Sequence, residues 1–194
     1  MRISTWFKLA ALVVAAVIVI QVGKIIAAHG GSACGTASGA MAHADTGDNC
    51  LHQEAGSSSW AEAQQRQMAG ATVTTGLLYT DANGSNPTTL TSGESGEAFE
   101  LAWQYLRANA SSIIRDLPPG QQAAGHVETK AAALMRHNED TYGVLVINND
   151  EGPCTWASGP GCVALIDLIL PKGSTMVLWW PGGHHETFSG RTAP

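Results

Sequence analysis

The chain has 194 residues, 44% hydrophobic and 13% charged, which is room for one ordinary domain and a short extra segment but not for a multidomain machine. Sixteen acidic residues against ten basic ones set a formal net charge of −6 and exclude a broadly cationic coat, so any nucleic-acid contact must be local. Four cysteines are too few for a disulfide scaffold, and they fall into two pairs, Cys34 with Cys50 and Cys154 with Cys162.

Arg2 and Lys8 precede an unbroken apolar run from Leu9 to Ile20, which resumes after Lys24 as Ile25 to Ala28. Residues 1–28 therefore read as a signal or anchor segment that meets a membrane or the export machinery. Ile26 spoils the small-x-small cleavage site that would end at Ala28, which favours an uncleaved anchor in which Lys24 snorkels to the headgroups. Positive charge lies before the run, and none follows Lys24 until Arg66, so the bulk of the chain is expected outside the cytoplasm, secreted or membrane-anchored. A buried helix of a soluble domain is the alternative, against which the Val and Ile density argues.

Residues 29–69, rich in Gly, Ala, Ser, His and Asp, read as a low-complexity linker that forms no core. Cys34 and Cys50 are expected to join in a disulfide there, since metal binding by Cys34, His43, Cys50 and His52 matches no ligand spacing.

The folded part begins near Gly70. Thr72 to Thr80 has strand composition and runs into the turn Asp81-Ala82-Asn83-Gly84, with Thr88 to Thr91 returning as a hairpin partner. Ser95 is the expected N-cap of a helix carrying Phe99, Trp103 and Leu106 as far as Ile114, before Pro118-Pro119. His126 to His137 repeats Val127, Ala131, Leu134 and Met135 at helical spacing, Val144 to Ile147 is a short strand, and Val163 to Leu170 is a helix closed by Pro171. Strands at Thr175 to Trp180 and around Glu186 to Phe188 flank a Pro181-Gly182-Gly183 turn. The order β-β-α-α-β-α-β-β implies an α/β fold, a sheet sandwiched by helices.

Four His-x-Glu triplets begin at His52, His126, His137 and His184, so the triplet alone selects nothing. The triplet at His126 opens an expected helix, where residues two apart can flank the open end and share a pocket with the positive end of the helix dipole. Pro153-Cys154 closes the strand that follows that helix, and Cys162 opens the next helix. One His and two Cys leave a tetrahedral Zn²⁺ an open position for water, the arrangement of a catalytic site, with Glu128 as proton carrier. In cytosine, hydroxide then adds to C4 and ammonia leaves. Without the triplet, Cys154 and Cys162 would read as a disulfide of an exported protein. Trp156 either stacks on a flipped base or plugs its loop, and Asn148 and Asn149 either bind a nucleotide or serve strand-end turn chemistry. The paired His184 and His185 offer a second metal site or are plain surface residues.

The run from Gly125 to Arg191 resembles the SCP1.201-like, DddA-like deaminase toxins of bacteria. The resemblance is carried by Gly125-His126-Val127-Glu128, the following Ala131 to Arg136, Ile147-Asn148-Asn149, Pro153-Cys154, Gly159-Pro160-Gly161-Cys162, Leu170 to Thr175 and Phe188-Ser189-Gly190. It implies a cytidine-deaminase-like three-layer sandwich over residues 70–194, with a mixed central sheet flanked by helices. It also implies a zinc-dependent hydrolase with His126, Cys154 and Cys162 as ligands and Glu128 as acid/base. Seven residues separate the two cysteines, where the most familiar deaminase pattern has two, and the turn-rich insert can loop out.

Three functions compete. The first is deamination of cytosine in DNA, single- or double-stranded, by an exported interbacterial toxin that a cognate immunity protein restrains. It requires a local basic cluster such as Arg107, Arg115, Lys130, Arg136 and Lys172, because residues 70–194 hold twice as many acidic as basic side chains. The second is a deaminase of free nucleosides or nucleotides, and the third a non-catalytic zinc module, for which Glu128 would be superfluous.

Overall fold

The computed structural model describes residues 50–109, 122–155 and 161–191, all within one compact unit spanning Gly39–Pro194. The expected anchor at 1–28, most of the expected linker with Cys34 and His43, the helix beyond Asn109 with Arg115, and Trp156 lie outside the described residues. Among the described residues no helix is long and apolar enough to cross a membrane.

The described elements are α1 (Cys50–Glu54), α2 (Ser58–Gln67), β1 (Thr75–Tyr79), β2 (Thr88–Thr91), α3 (Glu97–Asn109), α4 (Val127–His137), β3 (Tyr142–Ile147), α5 (Cys162–Ile169), β4 (Thr175–Trp180) and β5 (His184–Ser189). The strands form one five-stranded sheet in the order β2-β1-β3-β4-β5. Only β3 and β4 are parallel, and α5 is their crossover; the other neighbours are antiparallel. The mixed sheet and the element order from β1 onward are those expected.

Alternation along the strands sends apolar side chains to both faces. Leu78, Leu145, Ile147, Met176 and Leu178 face α3, α4 and α5, where Phe99, Leu106, Ala131, Met135 and Ile166 complete the larger core. Leu77, Tyr79, Val144, Val146, Val177 and Trp179 face the other way.

That second face corrects the linker reading for its last twenty residues. Cys50–Glu54 and Ser58–Gln67 are helices, and Leu51, Ala55, Ala61 and Met68 are buried against the second face. Small residues conceal the pattern: Leu51 and Ala55 are four apart, Ala61 and Met68 seven apart, so one apolar stripe of low volume suffices to seat two short helices. Ser57 caps α2 by accepting from the Trp60 amide at 3.3 Å, and the Trp179 indole N–H donates to the Ala55 carbonyl at 2.9 Å, fixing the joint between the helices to the sheet.

Two further ends differ from expectation. Gly96, not Ser95, supplies the first carbonyl of α3, accepting from Phe99 and Glu100 at 3.1 Å, because the Ser95 carbonyl accepts from Lys130 instead. α4 ends with Glu139 at φ 61°, where its amide and that of Asp140 return to the carbonyls of Arg136 and Met135. This is the αL closure that glycine usually provides.

Two glycines let α4 lie close on the sheet. A Cβ at Gly76 would stand 3.0 Å from Leu145 Cδ1 and 3.5 Å from Val127, and one at Gly143 would stand 2.7 Å from Met135 Sδ. Gly76 pairs with Ile147 at the end of β3, whereas Gly143 sits near its start. α4 therefore runs antiparallel to β3 and begins where β3 ends.

Trp179→Ala is expected to lower unfolding stability in urea by about 3–5 kcal/mol, through the lost indole volume and the unpaired Ala55 carbonyl. A loss below about 1 kcal/mol would mean that α1 and α2 do not cover this face in solution.

Candidate active site

Three chain segments meet at the carboxyl end of β3, the side of a parallel strand pair on which helices begin and ligands gather. His126 is the N-cap of α4, with extended backbone (φ −78°, ψ 146°) and no side-chain capping bond, so its imidazole is free to turn away from the helix. Cys162 is the first residue of α5, after Gly161 at the cap. Cys154 sits in the loop that leaves β3, shaped by a turn in which the Asn149 side chain donates to the Gly152 carbonyl at 2.6 Å and the Gly152 amide donates to Asn149 at 3.1 Å.

The three side chains converge. His126 Nδ1 and Cys162 Sγ are hydrogen-bonded at 2.8 Å, and one donor atom from each of His126, Cys154 and Cys162 lies within 4.8 Å of the others. Both cysteines are free thiols, so the disulfide alternative is not the one the fold adopts. Among the described residues this is the one His/Cys/acid cluster with the spacing of a metal centre. An imidazole and two sulfurs at that separation can share one ion with bonds of about 2.0–2.3 Å.

Burial sets the electrostatics. Glu128, in the first turn of α4, is 3% exposed, and desolvation pushes its carboxyl above the usual carboxylate range, partly offset by a hydrogen bond from its own amide. Desolvation also pulls His126 down and pushes the Cys162 thiol up, with the nearby Glu128 carboxylate and Cys154 thiol adding to the latter. All three directions disfavour charge, which is what a buried thiol and imidazole experience before a cation compensates them. Thr129, wholly buried, donates to the Ala123 and His126 carbonyls and so holds the entering turn on α4.

The remaining candidates are placed elsewhere. Asn148 accepts from the Thr75 amide at 2.7 Å and donates to the Val73 carbonyl at 3.3 Å, which extends the β1–β3 ladder past its last residue. Asn149 shapes the Cys154 loop. Both perform strand-end turn chemistry. His184 and His185 stack on Trp180 and Trp179 with ring centroids 5.8 and 4.4 Å apart, and His52 meets Tyr142 edge-on at 3.6 Å.

Among the described residues the expected basic cluster does not form. Lys130 is buried with its ammonium on backbone carbonyls, and Arg136 donates to the Ile169 carbonyl and the Tyr105 hydroxyl while its guanidinium lies 4.3 Å from the Tyr105 ring centroid. Arg107 and Lys172 remain exposed. The sequence signal against a surface role for Lys130 and Arg136 is the Ala-rich helix that carries them.

A family model described as SCP1.201-like deaminase matches residues 52–193. The chain belongs to the SCP1.201-like deaminase family. This deaminase is also similar to the double-stranded DNA deaminase toxin A of Burkholderia cenocepacia (strain H111), 34% identical over 74 residues. That stretch is 38% of the present chain but 5% of the toxin, so the chain spans a small fraction of that relative's length. The family match starts at His52, within the helices that cover the second face of the sheet.

Asn148→Ala leaves the Thr75 amide and the Val73 carbonyl without their partner at a half-buried strand end. A stability loss of about 1–3 kcal/mol is expected. It should be accompanied by faster amide exchange at Thr75, and unchanged exchange there would show that the side chain does not extend the ladder.

Proposed function

We propose that this deaminase hydrolyses cytosine to uracil in DNA, using one zinc ion, and that it is an exported bacterial toxin restrained by a cognate immunity protein. The observation that carries the reading is the convergence of His126, Cys154 and Cys162 beside a buried carboxylate. Three protein donors are the number found where a fourth position serves catalysis. His126, Cys154 and Cys162 would hold the ion, which when bound supplies a water acidified toward neutral pH.

The chain's own part in the reaction falls to Glu128. Its carboxylate takes a proton from the incoming water and passes it to N3 of the ring; a second transfer protonates the departing amine, so cytosine and water become uracil and ammonia. Burial keeps bulk water from competing for these protons. The first turn of α4 holds the carboxyl within the same pocket as the donors, so that addition and proton transfer occur without rearrangement.

DNA is the substrate that the similar toxin's name supports. Export rests on the apolar run at Leu9 to Ile20 and its flanking charges. A second reading, deamination of free nucleosides or nucleotides, is favoured by the surface: Glu94, Glu97 and Glu100 are exposed, while Lys130 and Arg136 hold backbone carbonyls and leave phosphates little to meet.

Sequencing of single- and double-stranded oligonucleotides after incubation with the purified protein separates these readings. C-to-U conversion is expected, abolished by a chelator, restored by zinc, and reduced by roughly 10²–10⁴-fold in Glu128→Gln. Conversion of cytidine but never of DNA selects the second reading. No deamination of either substrate by protein carrying one zinc would overturn both.

A further inference from the structure

The segment leading into α3 is held by a buried cation that the proposed chemistry does not use. Lys130 is 4% exposed, and among the described residues no carboxylate pairs with it. Its ammonium instead donates to the Thr91 carbonyl at 2.9 Å and the Ser95 carbonyl at 3.4 Å, with the Phe99 ring centroid 6.0 Å away. Burying an ammonium is costly, and desolvation pulls its pKa down. A segment that needed only cover would be met by an apolar residue at this position. An ammonium can instead donate to both carbonyls at once.

Those carbonyls bracket Ser92-Gly93-Glu94, in the connection between β2 and α3. Gly93 and Gly96 take φ of +131° and +86°, so the segment has much conformational freedom to lose. Its backbone rests directly on the residue before the N-cap histidine. The Gly93 amide donates to the Gly125 carbonyl at 2.9 Å, and a Cβ on Gly125 would stand 3.2 Å from the Gly93 carbonyl carbon and oxygen. Ser92 is tied on its other side to the Thr74 carbonyl at 2.8 Å.

We propose that Lys130 is a positioning residue for His126: its ammonium clasps the Thr91–Ser95 segment at its two ends, the segment presses Gly93 onto Gly125, and the imidazole is thereby set toward Cys162. The chain of contacts runs from Lys130 Nζ through Thr91 and Ser95 to Gly93, Gly125 and His126 Nδ1, and it ends at Cys162 Sγ. The consequence for metal rests on the zinc reading above; the consequence for the segment does not.

The experiment uses the full chain, wild type, K130M and K130R, with two readouts. Amide exchange at Gly93 in metal-free protein reports the clasp, and zinc affinity from competition with a chromogenic chelator reports the setting of His126. K130M is expected to lose most of the Gly93 protection. It should also bind zinc roughly 10–100-fold more weakly. K130R, whose fork can also reach two carbonyls, is expected to recover part of both. Loss of global stability alone would lower the melting temperature without moving either value in the folded protein.

Unchanged Gly93 exchange in K130M overturns the clasp, and faster exchange with unchanged zinc affinity overturns its link to His126. Wild-type protein that takes up no zinc refutes the metal reading instead, and the exchange comparison then decides the clasp alone. Should K130M not fold, wild-type Gly93 exchange with and without zinc decides: slowing by zinc supports the coupling, and no change overturns it.

Discussion

Everything at the candidate site depends on α4 lying antiparallel against β3 at close range. Gly76 and Gly143 remove the Cβ atoms that would hold it off, near opposite ends of the helix. Because α4 then begins where β3 ends, His126 arrives at the edge from which the Cys154 loop departs and α5 starts. Two helix amino-termini and one loop meet there, so an imidazole and two sulfurs converge. The same docking buries Val127, Ala131 and Met135, which couples the site's geometry to the largest apolar core in the domain.

Much of this arrangement is legible in the sequence, and the boundary of legibility is physical. Long periodic segments announce themselves, Phe99 to Leu106 through bulky repeats and Val127 to Met135 through the Val, Leu and Met that mark its ends. So do His126 and Cys162, which open helices, with Glu128 in the first turn of α4 and Cys154 in the loop after β3. The helices at Cys50–Glu54 and Ser58–Gln67 escape notice because they are short and two of their four buried contacts are alanines, which carry little hydropathy contrast in a Ser- and Gln-rich stretch. Yet the second face of the sheet, with Leu77, Tyr79, Val146 and Trp179, demands a cover. Strands apolar on both sides predict a third layer, and the missing layer had to come from the residues before β1.

The fate of the basic residues shows a different limit. A Lys or Arg is presumed to be solvated because burying its charge is costly, and net charge is counted on that basis. In this domain Lys130 and Arg136 serve the protein's own backbone: one clasps the segment before α3, the other ties α4 to the carboxyl end of α5 through the Ile169 carbonyl. The surface presented to a polyanion is therefore more acidic than the composition suggests. Affinity for DNA, on the function proposed here, has to come from shape, stacking and the few exposed cations rather than from a general field.

The first turns of α4 concentrate this trade. Glu128, Thr129 and Lys130 are three consecutive polar residues, all buried, in a helix whose remaining interior is apolar. Thr129 and Lys130 reach outward, to the entering turn and to the segment before α3, and each satisfies carbonyls that irregular backbone leaves over. Glu128 has its own amide and the neighbouring thiols, and no cation holds it among the described residues. An acid left in that condition adds little to stability. Two of the three polar groups thus build a rigid frame around the third, the acid that carries the proton transfers in the function proposed here.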